Sequence, residues 1–161
     1  MPLVRLTYPR GALSPSHKRR LAASLTDVVL DAEVDGVTDA GRSVTLIHFN
    51  EVAADDWAVA GELRSPASSA SDHFIVDLTV LQGLLEGERR RAVHRRVTSA
   101  FQQALPDDAT LPLRVWVLVH EVREGSWGVA GTTVGALDVA QYISPVLDDA
   151  RREEIAAAVR R

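Results

Sequence analysis

Cysteine is absent from the 161 residues. That excludes disulfide bridges, thiolate nucleophiles and cysteine-ligated metals. Long apolar runs are absent too: no stretch approaches the roughly 18 residues a bilayer span requires. No basic segment followed by an apolar core marks a signal peptide. Positive charge is not in excess, because 18 Lys and Arg stand against 22 Asp and Glu for a formal charge of −4. Such a balance disfavours a general nucleic-acid partner. The five histidines, His17, His48, His73, His94 and His120, lack the i, i+4 spacing of a helical metal site. No glycine-rich loop precedes a helix to cradle phosphate. The expectation is a cytoplasmic protein with no cofactor, no metal, no membrane span and no nucleic-acid partner.

What is present is a globular composition, 46% hydrophobic and 25% charged, with length for one ordinary domain or two small ones packed together. The chain is also written twice. Pro2-Leu3-Val4-Arg5-Leu6-Thr7 lies on Phe74-Ile75-Val76-Asp77-Leu78-Thr79, and Gly11-Ala12-Leu13 lies on Gly83-Leu84-Leu85, at an offset of 72. Further on the offset becomes 70, with Val44 to Val52 on Arg114 to Val122. Both stretches then reach a tryptophan, Trp57 or Trp127, and continue as Ala58-Val59-Ala60-Gly61 or Gly128-Val129-Ala130-Gly131. This is a duplication with two copies, not a repeat array.

Each unit reads strand, helix, strand. Leu3 to Tyr8 and Phe74 to Val80 are short apolar-rich strands closed by Gly11 and Gly83. Ser14-Pro15 is a helix start, a capping hydroxyl followed by proline at the first helical position. Leu21, Leu25, Val28 and Val29 form the first buried stripe, and Val93, Val97, Ala100 and Phe101 the second. Thr45 to Val52 and Leu113 to Val122 are the second strands, each expected parallel to the first strand of its unit. The predicted division is 1–64 for the first unit, 65–72 for a Ser-rich linker and 73–135 for the second unit. Residues 136–161 form a tail with a helix from Val146 to Arg160, packed on a neighbour or on the outer helices. The fold class is α/β (α+β): tandem βαβ units making a four-stranded sheet with helices on one face. Leu6, Ile47, Phe49, Ile75, Val76, Val117 and Val119 cover both strand parities. The open sheet face is therefore expected to be apolar and to drive self-association.

Pro2 opens the first strand directly after Met1. With Met1 removed, the chain starts with a secondary amine. An ordinary α-amino group titrates near about 8, and an apolar pocket lowers that value. The amine is then a candidate general base in a chain that lacks thiols. While Met1 is attached, the same nitrogen is an amide without basicity. A purely structural role for Pro2, as the start of an edge strand, is the alternative.

The amino-terminal Pro2, the duplicated unit, and the endings Asn50-Glu51-Val52…Trp57 and His120-Glu121-Val122…Trp127-Gly128-Val129-Ala130-Gly131 resemble the tautomerase superfamily. The small single-unit member of that superfamily is 4-oxalocrotonate tautomerase. Leu13-Ser14-Pro15-Ser16-His17-Lys18 and Thr26-Asp27 of the first unit are similar to cis-3-chloroacrylic acid dehalogenase. The resemblance implies a homotrimer, a small-molecule substrate and Pro2 as the catalytic residue. The family's arginines are missing. Their positions fall on Ala12, Leu46 and Trp116 for the tautomerase, and on Leu81 and Leu84 for the dehalogenase. The dehalogenase's water-activating His, pocket Tyr and catalytic Glu fall on Val29, Leu118 and Val129. The implied pocket is apolar, walled by Leu81, Leu84, Trp116, Leu118 and Trp127. Arg10 and Arg123 are the candidate replacement cations, each with a solvated surface role as its alternative. His48 is a candidate acid or base, or else a structural hydrogen-bonding residue. The run Arg89 to Arg96 reads as a solvated helix face. The activity implied is keto-enol tautomerisation of a small 2-oxo or 2-hydroxy-enoic compound with an apolar or aromatic group. A cofactor-independent decarboxylase or hydratase, and a non-catalytic oligomeric protein, are the alternatives.

Overall fold

The computed structural model describes residues 2–64 and 72–160. The first unit contains β1 (Leu3–Pro9), α1 (Pro15–Val34), α2 (Asp39–Ser43), β2 (Leu46–Val52) and a hairpin of β3 (Ala58–Val59) and β4 (Glu62–Leu63). The second contains β5 (Phe74–Leu81), α3 (Gly87–Ala104), β6 (Val115–Val122) and a hairpin of β7 (Trp127–Val129) and β8 (Thr132–Val134). Two helices follow, α4 (Ala136–Ile143) and α5 (Asp149–Val159). Most of the expected linker, residues 65–71, lies outside the described residues. The residues flanking it, Arg64 and Asp72, are ion-paired at 2.5 Å.

Strands pair in the order β2-β1-β5-β6. Within each unit the strands are parallel, as the sequence predicts, and the two units meet antiparallel through β1 and β5. An approximate two-fold axis therefore passes between the central strands. The start of α1 follows its sequence signature. Ser14 Oγ accepts from the His17 backbone N–H at 3.2 Å, and His17 Nδ1 accepts from the Ser14 N–H at 3.4 Å. His17 is thus the returning half of a capping box. In both hairpins an Ala-Gly pair sits at positive φ, Ala60 and Gly61 in one, Ala130 and Gly131 in the other. That backbone twist matches the strands it joins.

Helices α1 and α3 cover one sheet face. Leu21, Leu25, Val28 and Val29 from α1 and Val93, Val97, Ala100 and Phe101 from α3 all enter the main core, against Val4, Leu6, Val76 and Leu78. Each Leu, Val or Phe among them contributes about 1.5–3 kcal/mol on burial. Ile47, Phe49, Val117 and Val119 pack on this same side.

The open face therefore differs from expectation. Only Ile75 of the seven residues assigned to both faces lies there, because strict alternation sends the others to the helices. The open face is three mixed rows: Leu46-Leu3-Thr79-His120, His48-Arg5-Asp77-Leu118 and Asn50-Thr7-Ile75-Trp116.

The tail differs as well. Residues 136–160 form two helices rather than one, and both close onto this chain. Ala136, Val139, Ala140, Ile143, Leu147 and Ile155 build a second core with Leu30, Val34, Leu81 and Leu84. The expected helix beginning at Val146 starts instead at Asp149, where Asp148 caps it by accepting from the Arg151 N–H at 2.7 Å.

Candidate functional site at the proline end of the sheet

Because β1 and β2 run opposite to β5 and β6, the starts of the first pair share one sheet end with the finishes of the second. Pro2 sits at this end. It is buried, and its carbonyl accepts from the Leu46 N–H at 3.1 Å. The last turn of α1, the β5–α3 turn, the β7–β8 hairpin, α4 and α5 close the same end through the second core. The hairpin, α4 and Val44 border an apolar cleft of about 360 Å³ lined by Val44, Val129, Val134, Asp138, Val139 and Tyr142.

One ionisable group is wholly buried here. Glu33, in the last turn of α1, has no exposed surface. Burial pushes its carboxyl up to about 7, while the positive charges of the amino terminus and of Arg151 pull it back down. Arg151 of α5 is only 2% exposed. Its Nε and Nη2 donate to the Glu33 carbonyl at 3.1 and 2.7 Å, and Nη2 also reaches the Leu84 carbonyl at 2.6 Å. Nη1 pairs with Glu154 at 2.7 Å. Outside this pair, Arg89 of α3 joins Asp35 at 2.7 Å and Glu154 at 3.3 Å. The guanidinium of Arg89 holds the Asp35 carboxyl below the usual range. Helices α1, α3 and α5 are thereby tied over the proline end.

Within one chain the other sequence-predicted residues do not converge on Pro2. Leu84 and Leu81 are core residues at 0% and 2% exposure, sealed under α4 and α5, so neither walls an open pocket. The tail helices, expected on a neighbour or on the outer helices, cover them instead. Trp127 is half-buried at the proline end and packs against the second core. Trp116 and Leu118 are exposed on the open sheet face, as is His48. Arg10 follows β1 at the far end, roughly 25 Å along the strand from Pro2 at 3.3 Å per residue. Arg123 follows β6 and is the one sequence-predicted cation at the proline end, two strands or about 10 Å across. It is exposed beside Gln82, Glu86 and Glu121. The five-residue apolar wall expected around Pro2 is thus divided among a core, a hairpin and an open face.

The duplication leaves a second hollow at the opposite end. Trp57, Ala58, Val59, His73, Ile75 and Trp116 line about 300 Å³ there. His73 meets Trp116 edge-on at 5.6 Å. The strand that starts beside it begins at Phe74, whose nitrogen is a mid-chain amide.

Arginines 89 to 96 are engaged within the chain rather than merely solvated. Arg90 reaches Glu121 at 3.0 Å, Arg95 reaches Glu88 at 2.7 Å, and Arg96 reaches Asp31 at 2.6 Å.

Glu33 and Arg151 are the charges buried at this end, and neither is among the residues expected at the site. Both carry a sequence signal. Glu33 continues the α1 stripe at four residues beyond Val29, and Arg151 sits midway between Leu147 and Ile155 on α5. A charge at an apolar-stripe position announces either burial with a partner or a break in the stripe.

The sequence model of the family described as Tautomerase enzyme matches residues 2–65. No curated protein sequence matches the chain. Solved structures match along most of it. A fused 4-OT described as a wild-type symmetric trimer is 21% identical, covering 85% of this chain and 98% of that one at a TM-score of 0.64. A member of the cis-3-chloroacrylic acid dehalogenase family is 16% identical, covering 96% and 99% at a TM-score of 0.67. A third structure, of a protein inactivated by 2-oxo-3-pentynoate, is 16% identical, covering 83% and 95% at a TM-score of 0.59.

Proposed function

We propose that this chain, a fused two-unit protein of the tautomerase superfamily, catalyses keto-enol tautomerisation with Pro2 as general base once Met1 is removed. The observation that carries the reading is the placement of Pro2. It is buried at the start of the central strand β1, in the unit that matches the family, at the sheet end that also carries an apolar cleft. A secondary amine there loses hydration, which favours its neutral form.

The reaction moves one proton. The Pro2 nitrogen takes it from the enol hydroxyl as the C=O bond forms, and the resulting prolinium returns a proton to the adjacent carbon. Atoms balance, and no cofactor takes part. Negative charge on the oxygen in transit requires a donor, and Arg123 is the exposed candidate cation at this end of the sheet. The cleft walls Val44, Val129, Val134 and Val139 favour a small 2-oxo or 2-hydroxy-enoic compound bearing an apolar or aromatic group. A hydrating or dehalogenating reaction has less support, because Val29 and Val129 stand where water-activating groups are needed and Val29 is fully buried.

The assembly we propose is a homotrimer with one proline site per chain, joined through the mixed open sheet face and acting in the cytoplasm. Neighbouring chains then bring Trp116, Leu118, His48 and Arg10 within reach of sites other than their own. Among the described residues, no helix is long and apolar enough to cross a membrane.

The test is covalent capture of processed protein by 2-oxo-3-pentynoate, followed by peptide mass mapping. A reactive amine adds across the alkyne, forming one N–C bond while the proton passes to carbon. A single adduct on Pro2, absent after Pro2→Ala, supports the reading. Unmodified Pro2 at full exposure to reagent contradicts it.

A further inference from the structure

The duplication makes two strand starts, and the antiparallel meeting of β1 and β5 sends them to opposite ends of the sheet. Pro2 lies at one end. At the other lies the hollow of about 300 Å³ bordered by the starts of β5 and β6 and by the β3–β4 hairpin. The repeat puts His73 at the position of Met1, Phe74 at that of Pro2 and Trp116 at that of Leu46. The Phe74 nitrogen is an amide, so no backbone amine acts as a base here. We propose that this hollow is a non-catalytic binding site for a planar, uncharged aromatic compound bearing an acceptor oxygen. Its ring lies against Trp116 and His73, and its oxygen faces the Trp57 indole. The proposal goes beyond the tautomerase reading and does not depend on Pro2.

Three observations carry it. The walls come first. Trp116 is 56% exposed, yet its ring is held edge-on by His73 at 5.6 Å and 74°. Ala58, Val59 and Ile75 complete an apolar lining around the half-buried Trp57. Such a surface takes a flat apolar body, and aromatic rings meet it in stacked or edge-on contacts.

The second observation is a donor. The Trp57 Nε1–H is buried and has no acceptor among the described residues. An indole nitrogen only donates, and a donor left unmet costs about 1–3 kcal/mol. A ligand oxygen supplies the acceptor, which a purely hydrocarbon ligand does not.

The third is a tied frame. The Arg64 N–H donates to the Trp57 carbonyl at 2.8 Å, closing the hairpin. The Arg64 side chain pairs with Asp72 at 2.5 Å, both nearly buried. Arg114, just before β6, donates to the Asp72 carbonyl. The three elements around the hollow are thus joined through the residue next to His73, and a preformed site loses less binding energy to ordering. These two arginines are engaged with Asp72 and Asp108. Asp55 and Asp56 stand exposed just before Trp57. That balance favours an uncharged aromatic ketone over an aromatic carboxylate.

The experiment is a titration of the full-length processed protein with acetophenone, read by ¹H–¹⁵N NMR on the indoles of its three tryptophans. The expected result is that the Trp57 and Trp116 signals move together to saturation while Trp127 stays still. Trp116→Ala and His73→Leu are each expected to weaken binding by about tenfold. Ethylbenzene, similar in shape but without the oxygen, is expected to bind about tenfold more weakly than acetophenone. Signals that do not move, or that move without saturating, overturn the proposal. So does movement of Trp127 alone, which assigns the ligand to the proline end. Trp57 and Trp116 signals that respond to protein dilution instead of acetophenone place a second copy of the chain in the hollow, and overturn it too. Affinity unchanged in both variants overturns it, and H73L alone decides if W116A does not fold. Turnover of phenylenolpyruvate by the same protein tests the tautomerase reading separately.

Discussion

Arg5 and Asp77 stand opposite each other where β1 and β5 cross the approximate two-fold axis, and they occupy the same position of the two repeats. The duplication has thus diverged into a complementary pair at the one place where a residue meets its own copy. Two arginines or two aspartates there would repel across the strands. Asp77 is further held by His120, at 2.7 Å. Replacing Asp77 with Arg is expected to cost about 1 kcal/mol, and the exchanged double variant R5D/D77R to recover most of it. Urea unfolding of the four proteins measures the coupling. Equal stability of D77R and wild type contradicts it.

Arg151 is the cationic clamp over the proline end. Its guanidinium satisfies the carbonyls of Glu33 and Leu84 while buried. Arg151→Met keeps most of the apolar volume but strands both carbonyls. The expected loss is about 2–4 kcal/mol, read as a lower thermal midpoint. Arg152→Met on the same helix, which frees a partly buried carbonyl contact at Leu147 and a long, exposed pairing with Asp149, is expected to cost less than about 1 kcal/mol.

Glu33 imposes a pH dependence of definite sign. Its folded carboxyl is raised from 4.5 to about 7. Between those values the folded chain binds more protons than the unfolded chain, so stability falls as pH rises through the window. The stabilisation is complete below about 4.5 and gone above about 7, and its full size is of order 3 kcal/mol. Carboxyls such as Asp35 and Glu51, held low by Arg89 and Lys18, act with the opposite sign at lower pH. The difference between wild type and E33Q isolates the effect. Urea denaturation at pH 5 and pH 8 is expected to show wild type losing stability relative to E33Q, and a constant difference contradicts the assignment.

Gly83 and Gly11 offer a matched comparison. Both sit at φ +86, in equivalent turns of the two units, yet a Cβ at Gly11 meets open space. At Gly83 it comes within 3.1 Å of Ala158 Cβ and 3.3 Å of the Val159 nitrogen on α5. Both alanine variants carry the left-handed strain of about 1–2 kcal/mol. Gly83→Ala is expected to lose at least about 1 kcal/mol more, because α5 has to move. Thermal unfolding of the two variants decides it, and equal losses contradict the packing of α5 on this turn.

Much of this fold was legible in the sequence, and for identifiable reasons. The repeat gave two βαβ units, Ser14-Pro15 gave the start of α1, and the stripes of α1 and α3 gave the main core. The antiparallel meeting of β1 and β5 was not legible, because local periodicity says nothing about which strands of two units pair. The open face is not legible from the apolar content of the strands, because that content does not fix which parity faces the helices. At the site, Pro2 stands out in the sequence by its position alone, and the structure buries it at the start of β1. The burial of Leu84 is not legible, because its cover is the tail, whose helices have no counterpart in the first unit. Glu33 stands on the α1 stripe, yet its burial is not legible, because a charged residue near a helix end reads as solvated until its neighbours are known.

The most direct measurement is ketonisation of phenylenolpyruvate by protein whose mass shows that it begins at Pro2, beside the same protein retaining Met1 and beside Pro2→Ala. The account predicts turnover only in the processed wild type, because only there is the nitrogen a secondary amine in its native surroundings. Equal turnover with Met1 retained, or none above buffer in any of the three, would contradict it.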